Sequence, residues 1–312
     1  LHHVGHVVRD MEQALERYRR LGFAYAPPAY PVMAHGEGEP ARPFGAANTH
    51  ANFARNFVEI MTVVTDESHI PSDAKLVELH VPPAALTRVL ANIERTVARI
   101  SAGLARFEGL HILVFQTPDI AVSAVQFDKD GVGQSGVNTV QYEVETATGI
   151  RTVAVRALEI DREDVPEGRL AIAETPDAEL LQAQLHRQHP NGAVDLVESI
   201  LCVADIQMGA SVGRYQRYLG RDARREGPAW TFDLQQSRLT IVPASALGTL
   251  LPGETAPALP AFVGYAVAVR DLGAARTLLE SNGLPVCEGQ SADIFVPAAA
   301  ALGATVIFRQ AR

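Results

Sequence analysis

The chain has 312 residues, enough for two domains of ordinary size or one large one with well-filled cores. Its 47% hydrophobic and 20% charged content is that of a globular protein, and its net charge of −9 argues against nucleic acid or an anionic membrane as partner. No apolar run nears the roughly 18 residues needed to span a bilayer, and no signal peptide is visible; the cysteine usage makes a reducing cytoplasm the expected compartment. The chain starts at Leu1 rather than a methionine, which leaves open a short missing N-terminal piece. Cys202 and Cys287 lie far apart with no CxxC spacing, which argues against a disulfide framework or zinc knuckle.

The opening stretch, "LHHVGHVVRDMEQALERYRRLGF", carries three histidines in six residues. In a strand over residues 1–8, alternation puts His3, Gly5 and Val7 on one face and His2, Val4, His6 and Val8 on the other. A helix follows, with Asp10 as N-cap, Gln13 at the third helical position, and Met11, Ala14, Leu15, Tyr18 and Leu21 at helical spacing. Gly22 supplies its left-handed stop. A strand over Phe23 to Ala26, a Pro/Gly-rich loop from Pro27 to Gly45, and strands in "AANTHANFA" and "FVEIMTVV" about a turn near Arg55-Asn56 complete a βαβββ unit.

Next, "PPAALTRVLANIERTVARISAGLARFEG" predicts a long helix over about 83–106 crossing between units, with Leu86, Val89, Leu90, Ile93 and Val97 as its stripe. The strand, capping Asp, helix and Gly phrase then recurs: Asp119 to Gly131 after "GLHILVF", Asp205 to Gly220 after "VESILCVA", and Asp271 to Gly283 after "FVGYAVAVR". Such self-similarity marks an internal repeat. The predicted fold is α+β, with four βαβββ modules paired into two domains with cupped mixed sheets. The domains are expected at 1–190, with modules at about 1–66 and 109–176, and at 191–312, with modules at about 194–245 and 260–310. "QLHRQHPNGAVD" reads as the linker between them, flanked by His186 and His189 in helix-end or loop roles.

This repeated pattern resembles the vicinal oxygen chelate superfamily of glyoxalase I, extradiol dioxygenases and bleomycin-resistance proteins. The "L-x-H-V" and "V-x-D-[LM]" opening narrows the resemblance to its glyoxalase-like branch. The resemblance implies a metal inside the cupped sheet, held from the first and last strands of paired modules. Carried over, His3 and His111 match the first-strand ligands of modules one and two. Glu59 and Glu174 match the last-strand carboxylates, either of which could double as a catalytic base. The implied cofactor is a divalent ion, one of Zn, Fe, Mn, Ni or Co. In the second domain Glu198 and Gly264 stand at the first-strand positions, and the last strands offer neither an acid nor a histidine. That half is expected to be metal-free and structural, with some substrate contacts.

Each residue also has a plainer reading. A buried Glu59 could pair with an arginine, Glu174 could be solvated before a helix start, His6 is expected in the core, and His2 in solvent. Asn48, His50, Asn52 and Arg55 could line the cavity as substrate contacts or form the wet face of an edge strand. Three functions follow: a metal-dependent glyoxalase-like isomerase or lyase acting on a substrate that chelates through adjacent oxygens, an Fe(II) extradiol-type dioxygenase, and a non-catalytic small-molecule binding or resistance protein. The expected partner is a small molecule, with a homodimer as the assembly left open.

Overall fold

The computed structural model describes residues 1–34, 40–65, 70–79, 81, 83–160, 165–174, 183–184 and 188–311. Module one comprises β1 (His3–Val7), α1 (Met11–Arg20), β2 (Ala29–Met33), β3 (Arg42–Pro43), β4 (Ala46–Asn52) and β5 (Phe57–Val63). The Asp10 side chain accepts from Gln13 N at 3.0 Å, and Met11, Ala14, Leu15 and Tyr18 are buried, as their spacing requires. At Gly22, φ is +79°, and a Cβ there would press on Leu278 and Asn191. Residues 23–26 form no strand: Pro27 and Pro28 lack ladder donors, and Ala26 N alone reaches β4, at 3.4 Å from His50 O. The expected loop instead contains β2 and β3, with β2 paired in parallel to β6 (Lys75–Glu78).

The long helix α2 (Pro83–Arg106) forms as expected. Module two follows with β7 (Gly109–Thr117), α3 (Ile120–Asp130), β8 (Asn138–Thr146), β9 (Gly149–Glu159) and β10 (Arg169–Glu174). Asp119 caps α3 through Ala121 N and Val122 N, and Gly131 ends it in the left-handed conformation. Module three has β11 (Ala193–Val203), α4 (Met208–Leu219), β12 (Arg224–Glu226), β13 (Ala229–Asp233), β14 (Arg238–Pro243) and the one-turn α5 (Leu247–Leu250). Here Asp205 caps no helix. Its carboxylate accepts from Ser245 Oγ and Ser245 N, and a 3-10 turn over Asp205–Gln207 precedes α4. Module four has β15 (Ala261–Val269), α6 (Leu272–Ser281), β16 (Cys287–Glu288), β17 (Ile294–Val296) and β18 (Thr305–Gln310).

The first strands of paired modules run antiparallel to each other, β1 beside β7 and β11 beside β15. Each first strand takes its own module's last strand in parallel on its other side: β5, β10, β14 and β18. Two cupped halves of one plan result, and the Phe262–Leu110 pairing of β15 with β7 joins them into a single mixed sheet. The helix-bearing faces of both halves share one core that includes Tyr18, Tyr215, Tyr265 and Phe308. The opposite faces keep separate apolar clusters, one under α2 and one in the C-terminal cup.

Pairing register defines which residues correspond. In module one, His3 stands beside Phe57 and Gly5 beside Glu59. The matching pairs are Ile112–Arg169 and Val114–Ala171 in module two, and Glu198–Arg238 and Ile200–Thr240 in module three. In module four they are Gly264–Thr305 and Ala266–Ile307. The β1–β7 dyad pairs His3 with Val114 and Gly5 with Ile112, which confirms Ile112 as the counterpart of His3.

Candidate functional site

The floor of the N-terminal cup is laid by β1 and β5, where alternation turns His3, Gly5 and Val7 to the same side as Phe57, Glu59 and Met61. Gly5 is required there, because a Cβ would lie 2.6 Å from that of Ile112. The Val7 and Met61 end is closed by Ile100 and Leu104 of α2, so the polar groups collect at the other end. There Glu59, 7% exposed, accepts from Asn48 Nδ2 at 2.9 Å through Oε1. His3 Nε2 lies 3.7 Å from Oε2, and His50 Nε2 lies 4.0 Å from Oε1. Phe57 stacks on His3 at 4.5 Å and meets His50 edge-on at 4.7 Å.

Burial holds the His3 imidazole well below its usual pKa, helped by the charges of His2, His50 and Arg169. Burial also lowers His50, against the pull of Glu59. Both rings are therefore neutral near pH 7. His2 is buried rather than solvated, and its Nδ1 lies 2.7 Å from His3 Nδ1. A carboxylate opposite His3 Nε2 selects the tautomer protonated there, which makes His2 the donor in that contact. His6 lies in the core as expected, with Nε2 donating to Leu302 O and Nδ1 accepting from Tyr18 Oη, each at 2.8 Å.

The four residues the resemblance assigns to a metal do not meet at one point. His3 and Glu59 are neighbours, but His111 is one residue before Ile112, the true counterpart of His3. It stands three residues along β7 from the Val114 opposite His3, roughly 10 Å at about 3.3 Å per residue. A register shift between Gly5 and His6 turns His111 towards α2, where its Nε2 donates to Phe107 O at 2.9 Å and its Nδ1 is buried without a partner. It lines a cavity of about 210 Å³ beneath α2, away from Glu59. Glu174 lies three residues past Ala171, the counterpart of Glu59. It holds Arg156 at 2.6 and 2.8 Å and accepts from Ile120 N at 3.1 Å, and the Arg156 bond lowers its pKa. Among the described residues no group of three or more His, Cys, Asp or Glu side chains is spaced to hold a metal ion.

Of the polar row on β4, Asn48, His50 and Asn52 do share the Glu59 side of the strand. Arg55 does not: it is ion-paired to Asp195 of the other half, beside Asn56, whose side chain bonds both N and O of Leu196. His189 accepts from Ala24 N at 3.0 Å and donates to Asn52 O at 2.9 Å, fastening the second half beneath β4. His186 lies outside the described residues.

The family model for the glyoxalase-like domain matches residues 1–219. The chain belongs to that family. This glyoxalase-like protein is similar in structure to a hypothetical protein from Staphylococcus aureus, with 12% identity and a TM-score of 0.57 over 99% of this chain and 98% of that one. It is also similar to a variant of 4-hydroxymandelate synthase from Streptomyces coelicolor, with 12% identity and a TM-score of 0.54 over 99% and 92% of the chains. A fusion of a xylose isomerase-like TIM barrel with 4-hydroxyphenylpyruvate dioxygenase matches over 100% of this chain and 49% of its own, at 11% identity and a TM-score of 0.56. At such identities the likeness is one of fold. No curated protein sequence matches. Among the described residues no helix is long and apolar enough to cross a membrane.

Proposed function

We propose that this glyoxalase-like protein is an enzyme of the isomerase or lyase type, acting on a small α-hydroxycarbonyl compound with Glu59 as its base. The observation that carries this reading is the setting of Glu59. It is a buried carboxylate aimed by Asn48 and flanked by His3 and His50, at the end of the cup away from Val7 and Met61. Asn48 fixes the carboxylate's orientation, and a positioned carboxylate removes a proton next to a carbonyl when it lies within hydrogen-bond reach. The neutral imidazoles of His3 and His50 hydrogen-bond the two adjacent substrate oxygens, and Phe57 bounds the apolar side.

The family resemblance implies a divalent ion, Zn, Fe, Mn, Ni or Co. His3 and Glu59 offer two adjacent donors for it, but Ile112 and Ala171 occupy the positions from which module two would supply the others. The described residues do not complete a coordination sphere, so no step is assigned to a metal. An extradiol-type dioxygenase needs two imidazoles and a carboxylate on one iron. His3, His50 and Glu59 have that composition without meeting at one point. Binding without turnover is a second reading, favoured by the larger cavity of about 400 Å³ in the other half.

The test is proton exchange from carbon in deuterated water, followed by NMR over a panel of α-hydroxyaldehydes and α-hydroxyketones, with and without added divalent ions. The wild type is expected to wash deuterium into at least one of them, and Glu59→Gln to be slower by about 100-fold or more. No exchange with any member of the panel, or equal exchange by Glu59→Gln, overturns the reading.

A further inference from the structure

The C-terminal cup repeats the plan of the first with different chemistry at its centre. Glu198, the counterpart of His3, is 2% exposed, and its Oε1 accepts from Thr240, the counterpart of Glu59, at 2.5 Å. Its Oε2 accepts from Arg238 Nη2 and from Arg309 Nη2, each at 2.9 Å. Arg309 also donates to Asp293 Oδ2 from Nε and Nη2, at 2.9 and 2.7 Å. Two guanidinium groups thus lean on one buried carboxylate oxygen, which leaves Nη1 of Arg309 and the greater part of the Arg238 fork unused.

A guanidinium is all donor, and its N–H groups outnumber the bonds made here. Nη1 of each arginine takes no part in this network, and Arg238 Nε is buried without a partner. The two side chains remain 31% and 27% exposed, open to the cavity they line. That cavity, about 400 Å³, is within the size range of small-molecule sites. Its wall is mixed: Val242, Leu250, Leu251 and Ile307 give an apolar stretch, and Glu226, Thr249 and Gln290 line other parts of it. Guanidinium donors beside an apolar stretch match an amphipathic ligand whose acceptors form a planar pair.

We propose that the C-terminal cup binds a small monocarboxylate, its two oxygens on the free N–H edges of Arg238 and Arg309 and its apolar body against Leu250, Leu251 and Ile307. Glu198 and Asp293 set the two forks in place, so the carboxylate meets donors already oriented. The site stands apart from Glu59 and does not depend on the activity proposed for the N-terminal cup.

Titration calorimetry on the full chain tests this with phenylacetate and its uncharged analogue phenylacetamide. Phenylacetate is expected to bind, the amide at least tenfold more weakly, and Arg238→Gln to weaken phenylacetate at least tenfold while keeping the native circular dichroism spectrum. Leu250→Trp fills the apolar end without touching the ion pairs and is expected to abolish binding; it serves if Arg238→Gln fails to fold. Glu59→Gln is expected to bind phenylacetate as the wild type does. The proposal is overturned if phenylacetate does not bind, if the amide binds equally, if both folded cup variants bind normally, or if Glu59→Gln removes binding.

Discussion

The two cups are built on one topology and one register, and they are filled in opposite ways. In the N-terminal cup a long helix lies over the floor, the cavity shrinks to about 210 Å³, and the titratable centre is a carboxylate among imidazoles. In the C-terminal cup no comparable helix among the described residues lies over the floor, the cavity is about 400 Å³, and the centre is a carboxylate among guanidinium groups. All ten histidines of the chain precede residue 190, so the two halves respond to acid by different means. Duplicated backbones hold a position in space. The residues placed on that position decide the chemistry.

Acid gives the sharpest way to break the comparison. Burial pushes His2, His6 and His189 down to about 4, below the usual 6.5. Their folded pKa values are depressed, so the unfolded chain binds the extra protons, and stability falls as pH drops from 6.5 towards 4. A tenfold difference in proton affinity between the folded and unfolded chain corresponds to about 1.4 kcal/mol, so the three histidines together cost several kcal/mol in acid. Urea unfolding at steps between pH 7.5 and 4.5, with hydrogen exchange resolved by segment, is expected to show the N-terminal half opening first. Simultaneous opening of both halves contradicts this.

Removing the carboxylate at the centre of the other cup is the next largest effect. Glu198→Ala leaves two arginines facing each other and is expected to cost about 3 kcal/mol or more in denaturant unfolding. A cost below about 1 kcal/mol, the range of an exposed pair, would mean that the guanidinium groups are already fully solvated. Gly5→Ala sets a methyl group against Ile112 and is expected to cost about 1–3 kcal/mol, read by thermal unfolding. The smallest effect is expected at Glu174→Ala. It breaks a partly exposed pair with Arg156, shifts stability by about 1 kcal/mol or less, and leaves any exchange activity untouched.

Local signals are legible in the sequence because they act over a few residues. Asp10, Asp119 and Asp271 cap their helices, and Gly22, Gly131, Gly220 and Gly283 take the left-handed conformation beyond them. Alternation and the repeat together are enough to pair His3 with Glu59. They do not place His111 and Glu174, because side-chain facing depends on strand register, and one slipped residue turns a side chain elsewhere. The letters "LHILVF" imitate "LHHVGH", while the capping aspartates, Asp119 and Asp10, align Ile112 with His3. Counting back from the cap exposes the slip. The arginine pair is hidden for another reason: Arg238 and Arg309 lie 40 and 111 residues from Glu198, and no local pattern links them. The one available sign is a glutamate within the largely apolar "LVESILCV", a charge that has to find a partner when buried.

Leu302 lies in the loop before β18, and its carbonyl accepts a hydrogen bond from His6 Nε2. The neighbouring Gly303 packs so closely on Glu108 that a side chain there would run into that residue's carbonyl oxygen. During synthesis, the first strand therefore emerges long before the group that completes its core. Until residue 302 has been made, His6 has no Leu302 to donate to, and the Gly109 start of β7 lacks the Gly303 loop that packs on it. The N-terminal half thus waits for residues 302–303 before its core is complete, and a nascent chain stalled short of them would leave His6 and the start of β7 unpacked.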